Sequence, residues 1–197
     1  MPAQLRLNDP FSIITLPMIG GAGETERRLP WENLFSWPRT GDVQLPFDAS
    51  TREARNIWAS RLDQAVAQAD RAVLLVAESS ACLASIWWAR LSPSHYVSRV
   101  AGALFFHPPS VEALDGVRGQ MFASPDAVLP FPSLVVDDAP NGHALATRCG
   151  GQLIAAPSAA PPPTGMWRQT HRLIERLSTS VVEQDMRIMR TLGIDDR

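Results

Sequence analysis

A serine between small residues follows a continuous apolar run in the first half of the chain. Residues 71–77 (RAVLLVA) lead into Ala77-Glu78-Ser79-Ser80-Ala81, a variant of the G-x-S-x-G pattern with alanine in both small positions. In that pattern a tight strand-to-helix turn holds the serine hydroxyl over the helix N-terminus, where backbone N–H groups can stabilise an oxyanion. The pattern predicts acyl transfer through Ser79. The same five residues are also typical of a serine N-cap on a buried helix.

Acyl transfer through a serine also requires a base, and an acid that orients the base. Asp137 and Asp138 follow the apolar residues 133–136 (SLVV), and His107 follows the apolar residues 100–106 (VAGALFF). If both runs are strands of a parallel sheet, these side chains lie on the same rim of the sheet as Ser79. His107 is therefore a candidate base, although a loop histidine held by the two prolines after it has the same pattern. His95, His143 and His171 are weaker candidates.

The order of apolar runs and helical segments predicts the fold class. Residues 51–69 place Ala54, Trp58, Leu62 and Val66 on one helical face, and segments of this kind alternate with short apolar runs. Such alternation builds a mostly parallel sheet through right-handed crossovers. We predict an α/β fold with strands at residues 12–16, 43–45, 71–77, 100–106, 133–136 and 152–155, and helices at 25–36, 51–69, 81–90 and 167–192.

Several further segments match one known family. They are LPMIGGAG (16–23), WASRLDQAVAQAD (58–70), VLLVAESSACLA (73–84), VAGALFF (100–106) and LPFPSLVV (129–136). Over roughly residues 12–177 the sequence resembles the small retinoblastoma-binding-type serine hydrolases of the α/β-hydrolase superfamily. The resemblance implies a compact α/β-hydrolase-like three-layer sandwich at residues 1–177. It also implies that Ser79 is the nucleophile, that the backbone N–H groups of Met18 and Ser80 are the oxyanion donors, and that Asp138 or its neighbour Asp137 is the acid. Alignment of the loop on Pro140 favours Asp138.

The departures from the family pattern leave two classes of function open. The family carries its base in a Gly-His pair after the last strand, whereas residues 155–161 (AAPSAAP) contain no histidine. Glu78 stands where a histidine is common, and Met18 replaces a glycine. The first hypothesis is a carboxylesterase-like serine hydrolase that cleaves a small ester, thioester or amide with His107 as a displaced base. The alternative is a catalytically inactive pseudohydrolase with a degenerate triad, which serves as a binding or protein-interaction module.

The composition excludes several other classes of function. The chain has 197 residues with 18 basic and 20 acidic side chains, so its net charge of -2 creates no field that favours nucleic acid or an anionic membrane. Every basic residue is an arginine, which excludes a Schiff-base or phosphate-loop lysine. Gly20, Gly21 and Gly23 do not fit the G-x-G-x-x-G spacing of dinucleotide binding, and no metal-binding motif occurs. We expect no cofactor and no metal.

The cysteine content and the length of the apolar runs predict the location. Cys82 and Cys149 are too few for a disulfide scaffold, which favours a reducing compartment. The apolar runs are far shorter than the roughly 20 residues that span a bilayer. Residues 11–23 are interrupted by Pro17 and lack the pattern of a signal peptide. We expect a cytoplasmic protein that takes a small-molecule acyl substrate.

The C-terminal residues 178–197 extend beyond the family resemblance as a helical extension. From Trp167 onward the apolar residues spread over more than the single stripe that one sheet would cover, and Met186 and Met189 add adaptable surface. We predict that Val182–Leu192 contacts a second copy of the chain or another protein. Packing against the chain's own domain is the alternative.

Overall fold

The computed structural model describes residues 11–17, 43–47, 51–110, 120–125 and 127–154. In these residues six strands form one sheet in the order β2-β1-β3-β4-β5-β6, and every neighbouring pair is parallel. The strands are β1 (Phe11–Leu16), β2 (Val43–Gln44), β3 (Ala72–Glu78), β4 (Val100–Phe106), β5 (Ser133–Val136) and β6 (Gln152–Ile154). This architecture confirms the predicted α/β fold class.

Helices lie between the strands along the chain, and those at residues 52–68 and 80–91 match helices that the sequence periodicity predicts. They are α1 (Arg52–Gln68), α2 (Ser80–Leu91), the single turn α3 (Ser94–Val97) and α4 (Pro140–Cys149). Two of these helices have no counterpart among the predicted helices: α3, because four residues are too few to show a period, and α4, a short segment that contains Pro140 and Gly142. None of the helices in the described part of the chain has the length and apolar character that a membrane span requires.

Helix α1 begins and ends with side-chain contacts that satisfy its backbone. The hydroxyl of Thr51 accepts a hydrogen bond from the N–H of Ala54 at 3.1 Å, so it caps the first turn. At the other end the guanidinium of Arg99 donates to the carbonyls of Val66, at 3.0 Å, and Ala69. Arg99 directly precedes β4, and these bonds therefore join the end of α1 to the start of that strand.

One large hydrophobic cluster lies between the helices and one face of the sheet. Alternate residues of the strands share this face, since successive side chains of a strand point to opposite sides. The strand members of the cluster include Ile14, Leu16, Val73, Leu75, Ala77, Ala103, Phe105 and Val135. Helix α1 adds Trp58, Leu62 and Val66, α2 adds Ala81 and Trp88, and α4 adds Leu145. Burial of this cluster fixes the first turns of α2 and α4 at the carboxyl edge of the sheet.

Several sequence predictions concern residues outside the described ranges. These are the helix at 25–36, the oxyanion donor Met18, the C-terminal helix at 167–192, the interaction segment Val182–Leu192 and the domain boundary at residue 177. They stay predictions.

Candidate active site

Ser79 occupies a strained turn between β3 and α2. Its backbone angles are φ 54° and ψ −127°, a combination that L-residues rarely adopt because the Cβ atom is crowded. The turn is held by two backbone hydrogen bonds: the N–H of Ser79 donates to the carbonyl of Phe106 at 3.0 Å, and its own carbonyl accepts from Cys82 at 3.0 Å. The Ser79 side chain does not cap α2. This geometry departs from a simple N-cap and matches the turn that presents a serine hydroxyl.

The small residues on either side of Ser79 have a packing reason. Ala77, at the end of β3, and Ala81, in the first turn of α2, are both completely buried. A larger side chain at either position would push the helix away from the strand and open the turn. Like the glycines of the usual pattern, Ala77 and Ala81 are small enough for the helix to pack directly on the strand.

The Cys82 thiol packs against main-chain carbonyl groups beside the turn at Ser79. Its thiol is completely buried and lies 3.5 Å from the carbonyl oxygens of both Ala77 and Phe106. Burial raises the pKa of this thiol well above its ordinary value, so the group stays protonated and acts as a hydrogen-bond donor. The carbonyl of Phe106 thus accepts from the N–H of Ser79 and faces the Cys82 thiol.

The ends of three neighbouring strands place Ser79, His107 and Asp137 in a row. The strand registers pair Glu78 with Phe106 and Phe106 with Val136. The next residues continue the ladder: the N–H of His107 donates to the carbonyl of Val136 at 3.3 Å. Neighbouring strands are about 4.8 Å apart, so the three residues follow one another at that spacing along the carboxyl edge of the sheet.

His107 turns its Nδ1 atom towards Asp137. The distance from His107 Nδ1 to Asp137 Oδ1 is 3.9 Å, with 45% of the histidine side chain exposed and 8% of the aspartate. His107 also has a positive φ of 46°. With Nδ1 on the side of the carboxylate, Nε2 lies on the opposite side of the ring, the arrangement in which an imidazole receives a proton while an acid orients it.

The backbone of α4 holds the Asp137 carboxylate. Oδ1 accepts a hydrogen bond from the N–H of Ala139 at 3.2 Å, directly before the first turn of α4. The partial positive charge of the helix N-terminus stabilises a carboxylate at this position. Oδ2 is buried and has no hydrogen-bond partner among the described residues.

The two aspartates differ in their surroundings. Asp137 is buried beside His107, whereas the side chain of Asp138 is exposed. The alignment on Pro140 favoured Asp138, but the structure brings Asp137 to His107. The sequence alone left both open because a shift of one residue at a strand end exchanges the two sides of the sheet.

The remaining candidate residues lie around this row. Ser80 is buried and opens α2, which places its backbone N–H at the helix N-terminus next to Ser79. Glu78 is buried at the last position of β3. His95 is exposed in α3 with its ring 4.1 Å from that of Tyr96, and His143 is exposed in α4. The described residues contain no group of side chains that could hold a metal ion.

Sequence reasoning overlooked two residues of this site, Cys82 and Gly142. Cys82 was considered only for disulfides and metals, although its position three residues after Ser79 puts it on the first helical turn. No helix is predicted at residues 140–149, so the sequence by itself gives Gly142 no role. Gly142 in fact lies against Asp137.

Comparison with known proteins shows the family and the fold that this chain shares with them. Residues 30–158 match the family described as serine hydrolase. A crystal structure of a YdeN-like hydrolase from Pectobacterium atrosepticum is similar, with a TM-score of 0.57, 14% identity, and coverage of 87% of this chain and 92% of that one. A fungal esterase structure from Rhizomucor miehei has a TM-score of 0.51, 13% identity, and coverage of 88% of this chain and 76% of that one. At these identities the two structures show the shared fold. No curated protein matches the sequence.

Proposed function

The chain belongs to the serine hydrolase family, and we propose that it cleaves a small ester, thioester or amide through an acyl intermediate on Ser79. The observation that carries this proposal is the strained turn at Ser79, with φ 54° and ψ −127° between a buried strand and a buried helix. Strain of this kind persists where the surrounding structure holds it, and it is concentrated at functional sites.

We assign the general base to His107 and the orienting acid to Asp137. The row of strand ends brings both side chains to the edge where Ser79 lies, and Nδ1 of His107 faces the carboxylate at 3.9 Å. That distance exceeds a hydrogen bond, and catalytic contacts of this type tighten when substrate binds. His107 would thus replace the histidine that the family carries after the last strand.

The reaction then proceeds in two balanced steps. Ser79 Oγ attacks the acyl carbonyl carbon while Nε2 of His107 takes the hydroxyl proton, and the tetrahedral intermediate collapses as that proton passes to the leaving alcohol, thiol or amine. A water molecule next attacks the acyl-serine with His107 as base, which releases a carboxylic acid and restores the serine. The N–H of Ser80 is an oxyanion donor in this proposal, and Met18 is the second.

The rest of the proposal needs no cofactor or metal. The two cysteines of the chain are both buried and free, which suits a reducing compartment, and we propose a cytoplasmic location. The ligand would be a small-molecule acyl compound. The C-terminal segment Val182–Leu192 stays the proposed contact with a second copy or another protein.

A fluorophosphonate probe tests the assignment, because it reports an activated serine whatever the natural substrate is. We expect the wild-type protein to be labelled at Ser79 and the Ser79→Ala variant to remain unlabelled. His107→Ala should abolish labelling, and Asp137→Asn should slow it by about a hundredfold or more. His143→Ala is the matched control: it removes an exposed imidazole of α4 and should label at the wild-type rate if His107 is the base.

The alternative function, an inactive binding module, has its own supporting observation. Residues 155–161 contain no histidine where the family carries its base. If the folded wild-type protein does not react with the probe, the hydrolase proposal is wrong and the pseudohydrolase takes its place. If the wild type and His107→Ala label equally well, Ser79 is active but His107 is not its base.

A further inference from the structure

We propose that Gly142 is a positioning residue for the acid of the site: because Gly142 has no side chain, Asp137 can pack directly against α4, and this packing orients its carboxylate. The inference rests on the proposed function, since it assigns Gly142 a role through Asp137 and His107. It concerns a residue of α4 that no sequence motif singles out.

The contacts of an added methyl group show how closely Asp137 approaches. A Cβ atom at position 142 would lie 2.5 Å from the Cβ of Asp137, 3.1 Å from its Oδ2 atom and 3.0 Å from Cδ1 of Leu153. The first distance is shorter than two non-bonded carbon atoms can approach without a clash. Because the Asp137 Cβ is bonded directly to the main chain, rotation of the carboxylate cannot relieve this clash. Either the start of α4 or the end of β5 would have to move.

Neither of those two elements can move without disturbing the site. The N–H of Asp137 donates to the carbonyl of Ile154 at 3.1 Å, so a shift would loosen the ladder between the ends of β5 and β6. Its Oδ1 atom accepts from Ala139, which leads into α4, so movement of the helix also carries the carboxylate. A side chain at position 142 would therefore displace the carboxylate from Nδ1 of His107.

Conformation does not explain the glycine. Gly142 is the third residue of α4, and its φ lies outside the left-handed region that favours glycine. Glycine is also a poor helix former, so alanine would be the better residue for the helix by itself. Space for Asp137 is what remains as the reason for glycine at this position.

The surroundings of the buried Oδ2 atom of Asp137 make its packing against Gly142 more important. Oδ2 would lie 3.1 Å from an added Cβ atom at position 142, is buried and has no hydrogen-bond partner among the described residues. Among the described residues no hydrogen bond orients Oδ2, so packing against Gly142 and the hydrogen bond at Oδ1 set the direction of the carboxylate. A change in that packing acts directly on the orientation of the acid.

The test compares the rate of fluorophosphonate labelling in the full-length wild-type protein and four full-length variants. Gly142→Ala should label Ser79 about tenfold or more slowly than wild type, because small displacements of catalytic groups have large effects. Asp137→Asn alone should also slow labelling. In the Asp137→Asn background Gly142→Ala should add less than about a twofold change, since a residue that acts through Asp137 has no route once the acid is gone. His143→Ala, the exposed neighbour in the same turn, should leave the rate unchanged.

The outcomes separate this inference from the proposed function. If the wild type is not labelled, both are wrong. If the wild type is labelled and Gly142→Ala keeps its rate, or slows it equally with and without Asp137→Asn, only the positioning role is wrong. Should Gly142→Ala fail to fold, the double variant Gly142→Ala with Leu153→Ala is used, because removal of the half-exposed Leu153 side chain gives α4 room to shift. The same slow labelling and the same dependence on Asp137 are expected there, and a wild-type rate would contradict the role.

Discussion

Ser79 and His107 are the two non-glycine residues with positive φ in the described part of the chain, at 54° and 46°, and they follow directly after two neighbouring strands. The N–H of Ser79 donates to the carbonyl of Phe106, the residue before His107. Each such conformation costs about 1–3 kcal/mol. Within the described residues, backbone strain of this kind lies at the proposed nucleophile and the proposed base.

The strain at Ser79 predicts an inversion of the usual effect of glycine on stability. Ser79→Gly should be more stable than Ser79→Ala by about 1 kcal/mol, because glycine adopts this backbone conformation without a crowded Cβ. The difference corresponds to roughly 2–4 °C in Tm, which thermal unfolding measures. The matched pair is Ser60→Gly and Ser60→Ala in the exposed middle of α1, where alanine should be the more stable. The same order at both positions would contradict strain at Ser79.

His107 allows activity to be separated from backbone strain. His107→Asn removes the base but tolerates a left-handed φ, whereas His107→Val does not. We expect both variants to lose fluorophosphonate labelling, and the valine variant to be less stable than the asparagine variant by about 1–2 kcal/mol. The pair His143→Asn and His143→Val, in a regular helix, should differ little. Equal stability of the two His107 variants would show that its φ is unstrained.

Cys82 predicts a loss of stability at alkaline pH. Burial raises the pKa of its thiol in the folded state above the ordinary value of about 8.5, so folding favours the protonated form. This contribution is complete below the unfolded pKa and declines as pH rises through the folded one, by at most about 1.4 kcal/mol per pH unit. Denaturant unfolding measures this decline in the free energy of unfolding between about pH 7.5 and about pH 10, a range that includes the pKa of a free thiol.

Cys82→Ser is the control for that titration, because its hydroxyl does not ionise in this range. The free energy of unfolding of the variant should decline less steeply with pH than that of the wild type. Parallel declines would assign the pH dependence to other groups. The burial of Cys82 further predicts that thiol reagents leave it unmodified until the protein unfolds.

Arg90 predicts a stability effect without a direct effect on the site. Its Nε donates to the carbonyl of Ala127 at 2.8 Å, Nη1 to the hydroxyl of Ser124 at 3.2 Å, and Nη2 to the carbonyl of Arg148 at 2.7 Å. The guanidinium thereby joins the end of α2, the segment before β5 and the last turn of α4. Arg90→Lys should destabilise the fold by about 1–3 kcal/mol, because an ammonium cannot reproduce this planar fork.

Labelling provides the second measurement for Arg90→Lys. At temperatures where the variant is fully folded, we expect Ser79 to react with the fluorophosphonate probe at the wild-type rate, since Arg90 lies at the far end of α2 from Ser79. If the lysine variant is as stable as the wild type, the three hydrogen bonds of Arg90 add no stability beyond what one ammonium group supplies.

Local patterning in the sequence determined much of this protein. Hydrophobic periods separated strands from helices, and small residues around Ser79 indicated a tight turn, because both are consequences of neighbours along the chain. Only the tertiary structure decided which aspartate faces His107 and what Gly142 is for. The first choice depends on the register between β4 and β5, which brings together His107 and Asp137 from positions about 30 residues apart. The second depends on how closely α4 approaches the end of β5. Contacts between separate strands leave no periodic trace in either segment, so they become visible only once the sheet is assembled.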